Sequence, residues 1–188
     1  MRQYAVAVVF GLAVVGCVGD AHSWMPLEEG NVWHLKVSSG LLTGFVEVKV
    51  NRKAQVGPYS GWELVSRMGA SRLAWSEGTL YASELSGTRY SPPIPLLAEL
   101  GENQSLRWKG TVTTGSTQVS GAGTLVVKQT KEKVGIRSHP AREATVTLAI
   151  GDSRHEIQTS FVRGIGIVRQ EHRVDGALEN RISYSSGP

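Results

Sequence analysis

The chain holds one cysteine in 188 residues, Cys17. A disulfide framework is therefore excluded, as is a zinc site built on paired cysteines. Neither sign of charge dominates. Lys and Arg number 20 against 16 Asp and Glu, and the formal charge of +4 drops by one if Arg2 is removed. That excess is too small to mark a nucleic-acid binder, and no basic stretch interleaves with aromatics. The opening apolar run, Tyr4 to Val15, is shorter than the roughly 20 residues that span a bilayer. Sequences that carry chemistry elsewhere are also missing. There is no Gly-x-Ser-x-Gly elbow, no His-Glu-x-x-His pair and no phosphate-cradling glycine loop. Glu28 and Glu29 are adjacent, so on a strand they point apart and make a poor acid-base pair. No enzyme activity and no cofactor is expected.

The first seventeen residues are the most informative. A short basic start is followed by an apolar core and small residues, the order of a secretory signal peptide. The run ends Val14-Val15-Gly16-Cys17, which resembles a bacterial lipobox. In that family the peptide is cut before the cysteine, whose thiol takes a diacylglycerol. The resemblance implies a signal peptide over 1–16 and an anchor at lipidated Cys17, through which the membrane is a partner. Several acyl chains on one residue hold firmly where a single chain holds marginally. Val18 stands where enterobacterial lipoproteins kept at the inner membrane carry Asp, so outer-membrane sorting is implied in a two-membrane cell. The alternative is an ordinary signal peptide cut after Ser23. That leaves a soluble secreted or periplasmic protein.

Residues 17–31 read as anchor, tether and lead-in, and 32–184 as one domain. Within it apolar and polar residues alternate with period two. Val46, Val48 and Val50 alternate with Glu47, Lys49 and Asn51; Val146, Leu148 and Ile150 alternate with Thr145, Thr147 and Ala149. Such runs are strands with one dry face. Glycine turns separate them at short spacing, too short for crossover helices, so neighbours pair antiparallel. The expectation is an all-β antiparallel meander of about ten strands. So long a sheet must curl, here into a half-barrel, or else fold into a two-layer β-sandwich. Ser91-Pro92-Pro93-Ile94-Pro95-Leu96-Leu97 interrupts the rhythm. It reads as a crossing or covering segment, with one helical turn over Leu96–Leu100. Residues 185–188 read as a frayed tail.

Two short motifs carry a further resemblance. Pro26-Leu27-Glu28-Glu29-Gly30-Asn31-Val32-Trp33 and Gly164-Ile165-Gly166-Ile167-Val168-Arg169 resemble the opening and the closing strand of a group of uncharacterised bacterial secreted and lipoprotein domains. That group is similar in shape to the curled sheets of LolA and LolB type lipoprotein carriers. The implied protein is a non-enzymatic envelope component that binds an apolar ligand, a lipid or an envelope protein. The alternative is a scaffold lipoprotein without a ligand. Bare physics gives the motifs structural roles, Gly30-Asn31 turning Trp33 into the core and Gly164 and Gly166 permitting a bulge or close approach.

Of five tryptophans, Trp33, Trp62, Trp75 and Trp108 fall in expected strands and are the candidate ligand-binding residues. Trp24, near the anchor, is placed at the lipid interface. His139, His155 and His172 recur on successive strands, where imidazoles could align, but their charged flanks read as solvated and no metal site is expected. Lys128, Lys131, Lys133, Arg137 and Arg142 form the one denser basic stretch. It reads as an exposed hairpin face, with anionic lipid or wall polymer as its alternative partner.

Overall fold

The structure is a computed structural model that describes residues 21–101 and 103–188. The signal segment, Cys17 and the first part of the tether lie outside the described residues. After a 3-10 turn at Ala21–Trp24 come twelve strands: β1 (Val32–Ser39), β2 (Leu42–Val56), β3 (Tyr59–Ser66), β4 (Gly69–Ser76), β5 (Thr79–Leu85), β6 (Thr88–Leu97), β7 (Ser105–Thr114), β8 (Thr117–Val134), β9 (Arg137–Ile150), β10 (Ser153–Val162), β11 (Gly166–Val174) and β12 (Ala177–Ser186). Each pairs with its sequence neighbours, and β1 also pairs antiparallel with β12. The all-β antiparallel meander is therefore present, but it closes into a full barrel, not a half-barrel or a sandwich. Closure rests on the register His34↔Ser186 through Ser38↔Arg181, which leaves neither terminal strand with an open edge. The same pairing corrects the expected frayed tail. β12 runs to Ser186, whose hydroxyl lies 3.3 Å from His34 Nδ1.

The proline segment is also corrected. It is neither a loop nor a helical turn; residues 88–97 form β6, part of the wall. Pairing of β6 with β7 stops at Ser91↔Thr111. Pro92, Pro93 and Pro95 thus sit where the β7-facing side asks for no ladder N–H. The seam is closed by a side chain instead: Trp108 Nε1 donates to the Pro92 carbonyl at 2.9 Å. Gly110, beside it, leaves room for this ring and for the Ser91 carbonyl.

Polarity sorts by alternation. Val50, Leu64, Leu73, Leu80, Val112, Leu125, Val146 and Leu148 are buried in one core. Ion pairs tie the outer face, with Glu63 between Arg52 at 2.8 Å and Arg72 at 3.4 Å, and Glu171 between Arg173 at 3.0 Å and Arg181 at 2.9 Å. The hydrogen bond from Arg52 holds the Glu63 carboxyl below the usual carboxylate range. An apolar inside and a charged outside are the reverse of a membrane-spanning barrel, whose outer band is apolar.

Because the strands go up and down in order, six hairpins gather at one end: β1–β2, β3–β4, β5–β6, β7–β8, β9–β10 and β11–β12. The opposite end receives the other connections and both ends of the described chain. There the β8–β9 hairpin overreaches the barrel. Its basic residues run toward a tip at Ile136, which is fully exposed. Glu132 of this hairpin accepts from Ser160 Oγ at 2.7 Å and pairs with Arg169 at 2.9 Å.

A β-carbon at Gly110 would overlap the Ser91 carbonyl oxygen and lie 2.7 Å from Trp108 Cζ2. Gly110→Ala is expected to destabilise the barrel by about 1–3 kcal/mol, as overpacking does. The midpoint of urea unfolding, at unchanged slope, checks this.

Candidate functional site

The inward side chains do not fill the barrel. A cavity of about 510 Å3 remains, within the ~300–1,000 Å3 usual for small-molecule sites. Its walls are aliphatic and aromatic: Leu35, Val46, Leu64, Leu73, Leu80, Tyr90, Val112, Leu148 and Ile157 among others. Among the described residues no Asp, Glu, Lys or Arg lines it. Burial pushes the Tyr90 hydroxyl up to about 12, so that ring is neutral at any physiological pH. Ser66, Ser86, Thr88, Thr114 and Thr117 also line the cavity, beside or within two residues of the β3–β4, β5–β6 and β7–β8 hairpins. That end is the mouth.

The other end is stoppered by the segment that leads into β1. Met25 is buried and forms part of the cavity floor. Trp75 Nε1 donates to the Met25 carbonyl at 3.0 Å, and Gly164 N donates to the Ser23 carbonyl at 2.6 Å. Asn31 Nδ2 donates to the Pro26 carbonyl at 3.1 Å, while Gly30 N and the Asn31 carbonyl bond Val50 across to β2. Trp33, next along, points inward and donates Nε1 to the Ile165 carbonyl at 2.6 Å. Gly166, at φ +95°, carries no β-carbon that would crowd Met25 Sδ and Trp33 Nε1. The two short motifs of the sequence thus meet: one supplies the stopper and the other its seat.

Of the four candidate tryptophans, Trp33 alone lines the cavity. Trp62 and Trp75 share the inward alternation of Leu64 and Leu73 but lie lower. They border a groove beneath the stopper with His22, Pro26 and Leu27. Lys53 Nζ stands 3.6 Å over the Trp62 ring. Trp108 packs edge-on to Tyr90, with ring centres 6.1 Å apart, and fills the β6–β7 seam. Trp24 is buried, with the guanidiniums of Arg142 and Arg163 over its ring at 4.7 and 5.1 Å. Its expected place at a lipid interface is thereby corrected: the indole is packed under protein cations.

The structure also brings together what the sequence analysis set aside. His155 and His172 stand side by side on β10 and β11 near the mouth and line the cavity. Their rings stack at 5.3 Å, and His155 Nδ1 lies 3.1 Å from His172 Nε2. His139 is not with them. It pairs with Glu132 in the overreaching hairpin, nine residues and about 30 Å along β9 from Leu148, the partner of His155. Asn180 stands beside His172 and Gln170 lies below it, both lining the cavity in one polar strip, and Gln170 Nε2 donates to Thr159 Oγ1 at 3.0 Å. Burial, then the neighbouring His155, holds the His172 imidazole below its usual value, against a weaker pull from Glu179. Sequence reasoning missed this strip because charged neighbours in sequence point to the opposite face of a strand. The signal available was the 17-residue spacing, which a ten-residue strand and a short turn convert into cross-strand adjacency.

No protein-family model matches the chain, and no curated protein matches it. Solved structures do. A presumed lipoprotein from Parabacteroides distasonis superposes with a TM-score of 0.57 at 10% identity, covering 88% of this chain and 98% of that one. A presumed exported protein with a YmcC-like fold from Bacteroides fragilis gives a TM-score of 0.50 at 10% identity, over 86% and 96% of the two chains. The hypothetical lipoprotein YmcC of Escherichia coli gives 0.43 at 10% identity, over 84% and 87%. At such identity the likeness of the first two is one of fold. It places the barrel among folds found in exported and lipoprotein chains.

Two outcomes are expected. Trp33→Phe keeps the ring but leaves the Ile165 carbonyl without its donor, and costs about 1–3 kcal/mol of unfolding free energy. Because the folded value of His172 lies below the ordinary 6.5, its contribution is present above that value and is lost as pH falls through the lowered one. Wild type therefore loses more stability than His172→Gln between about pH 7 and about pH 5, as paired thermal melts read directly.

Proposed function

We propose that this protein is a non-enzymatic component of the bacterial cell envelope that holds one apolar ligand in its barrel. The observation that carries the reading is the cavity: stoppered at one end, open at the other and, among the described residues, free of carboxylates, ammonium groups and guanidiniums. Burial of an apolar chain there gains about 25 cal/mol for each Å2 removed from water. The preformed walls spare the ordering cost that a flexible site carries. Fold likeness to chains described as exported or as a lipoprotein agrees with an envelope location.

The anchor belongs to the same proposal. Ala21 begins the stoppered end, four residues after Cys17, and four residues reach at most about 14 Å. With Cys17 lipidated, the barrel stands on its stopper and its mouth faces away from the membrane that holds it, the outer membrane in a two-membrane cell. Such an orientation suits exchange of ligand with the periplasmic side rather than with the bilayer beneath.

A scaffold role is the second reading, and one feature favours it. Leu41, Leu42, Phe45, Met68 and Leu178 are exposed on three neighbouring strand pairs at or near the mouth, β1–β2, β3–β4 and β11–β12. An apolar lip of this kind suits contact with another envelope protein.

Native mass spectrometry of residues 18–188, which contain the stopper and all twelve strands, separates the readings. Protein exported to a periplasm and purified without detergent is expected to carry a defined extra mass that organic extraction removes. A bare mass in repeated preparations would contradict the ligand reading and turn the account to the lip and its partner.

A further inference from the structure

Apart from the Tyr90 hydroxyl and the Ser and Thr hydroxyls around the mouth, the cavity wall is apolar except for one strip, and that strip has a chemistry of its own. Among the described residues, His155 and His172 are the only side chains lining the cavity that can carry a positive charge near neutral pH. One hydrogen bond joins them, Nδ1 to Nε2 at 3.1 Å. The outer nitrogens, His155 Nε2 and His172 Nδ1, make no other hydrogen bond among the described residues. Asn180 beside His172 and Gln170 below it add amide donors. The remainder of the wall, from Ile157 down to Trp33 and Met25, offers carbon.

We infer that the ligand is a single-chain acyl carboxylate, its hydrocarbon tail toward Met25 and its carboxylate held at the mouth by His155 and His172. This rests on the cavity reading above and adds the head group to it. The charge count selects a carboxylate over a phosphate. Phosphate recognition draws on Arg or several cationic groups, and among the described residues no Arg or Lys lines this cavity, whereas a carboxylate brings one charge and two acceptor oxygens. Two stacked imidazoles a hydrogen bond apart repel each other when both are protonated, so a head group of single charge suits the pair.

Empty, the pair favours neutrality on the His172 side. Around it, β9 contributes Leu148 and β11 contributes Val174 opposite His155; Ile157 and Asn180 stand opposite His172. Glu179 is the one carboxylate His172 feels, and Asp175 is turned to the Arg154 amide at 2.8 Å. An entering carboxylate places an opposite charge against the imidazoles and favours the protonated form. Binding therefore takes up a proton, and affinity rises as pH falls toward the point where the ligand itself becomes neutral.

The test uses residues 18–188, delipidated, and three ligands with the same tail: dodecanoate, dodecanol and dodecyl phosphate. Titration calorimetry is run at about pH 5.5 and about pH 8, both above the ordinary carboxylate range. The inference expects dodecanoate to bind about tenfold more tightly at the lower pH, and more tightly there than either other ligand, while dodecanol shows no pH dependence. The double variant His155→Gln, His172→Gln is expected to lose the preference of dodecanoate over dodecanol. The comparison of heads on the wild-type protein needs no variant to fold. If the three ligands bind alike at both pH values, the clamp is wrong and the apolar cavity stands. If dodecyl phosphate binds most tightly, the carboxylate assignment is overturned. If none binds, the cavity reading fails along with it.

Discussion

The stopper decides what kind of object this barrel is. Twelve antiparallel strands closed on themselves make a tube. A tube with an apolar bore fills with its own side chains or stands open at both ends. Met25 on the floor, Trp33 hydrogen-bonded to the Ile165 carbonyl, and a backbone bond from Gly164 to Ser23 turn the tube into a cup. The contact joins the lead-in to a turn more than 130 residues later in the chain, so it also locks β1 against the strands that close the barrel. The buried Trp33 N–H is satisfied by a carbonyl that the β10–β11 turn leaves free of the ladder, so the closure leaves that buried donor satisfied.

Above the stopper the architecture follows from sorting by face. Charged side chains pair on the outside, and the inside is left to aliphatic residues. Twelve strands set a bore that these residues line but do not fill. The weakest seam, between β6 and β7, loses its ladder where the prolines begin. It is sealed by the Trp108 indole, with Gly110 making the space. Sheet closure, seam and stopper are three solutions to one requirement: an apolar interior must be screened from water on every side except the mouth.

Much of the fold was legible in the sequence. The alternation Val46, Val48, Val50 and the glycine turns gave strands, order and antiparallel pairing. Closure was not legible, because it depends on the pairing of β1 with β12, and nothing in local alternation reports a register between strands so far apart. The proline segment was misread because the rule against proline in a ladder holds for each edge separately, and β6 pairs fully on neither side. Trp33, Trp62, Trp75 and Trp108 were legible as strand residues, but local alternation carries no depth, and depth separates the cavity wall from the packing beneath the stopper. The histidine pair shows the opposite failure. Arg154 and Glu156 suggested a wet surface around His155, yet on a strand those neighbours face outward and leave His155 turned to the bore. His139 shows why spacing alone was insufficient, since its strand continues past the end of the barrel.

The central claim is that the cup holds a ligand between the stopper and the imidazole pair. A crystal structure of the protein isolated from the envelope of its own cell, without detergent, tests it most directly. The account predicts one continuous elongated density running from Met25 and Trp33 to His155 and His172, matching no protein atom. An interior closed by inward movement of the mouth hairpins, with side chains occupying that volume, would contradict it.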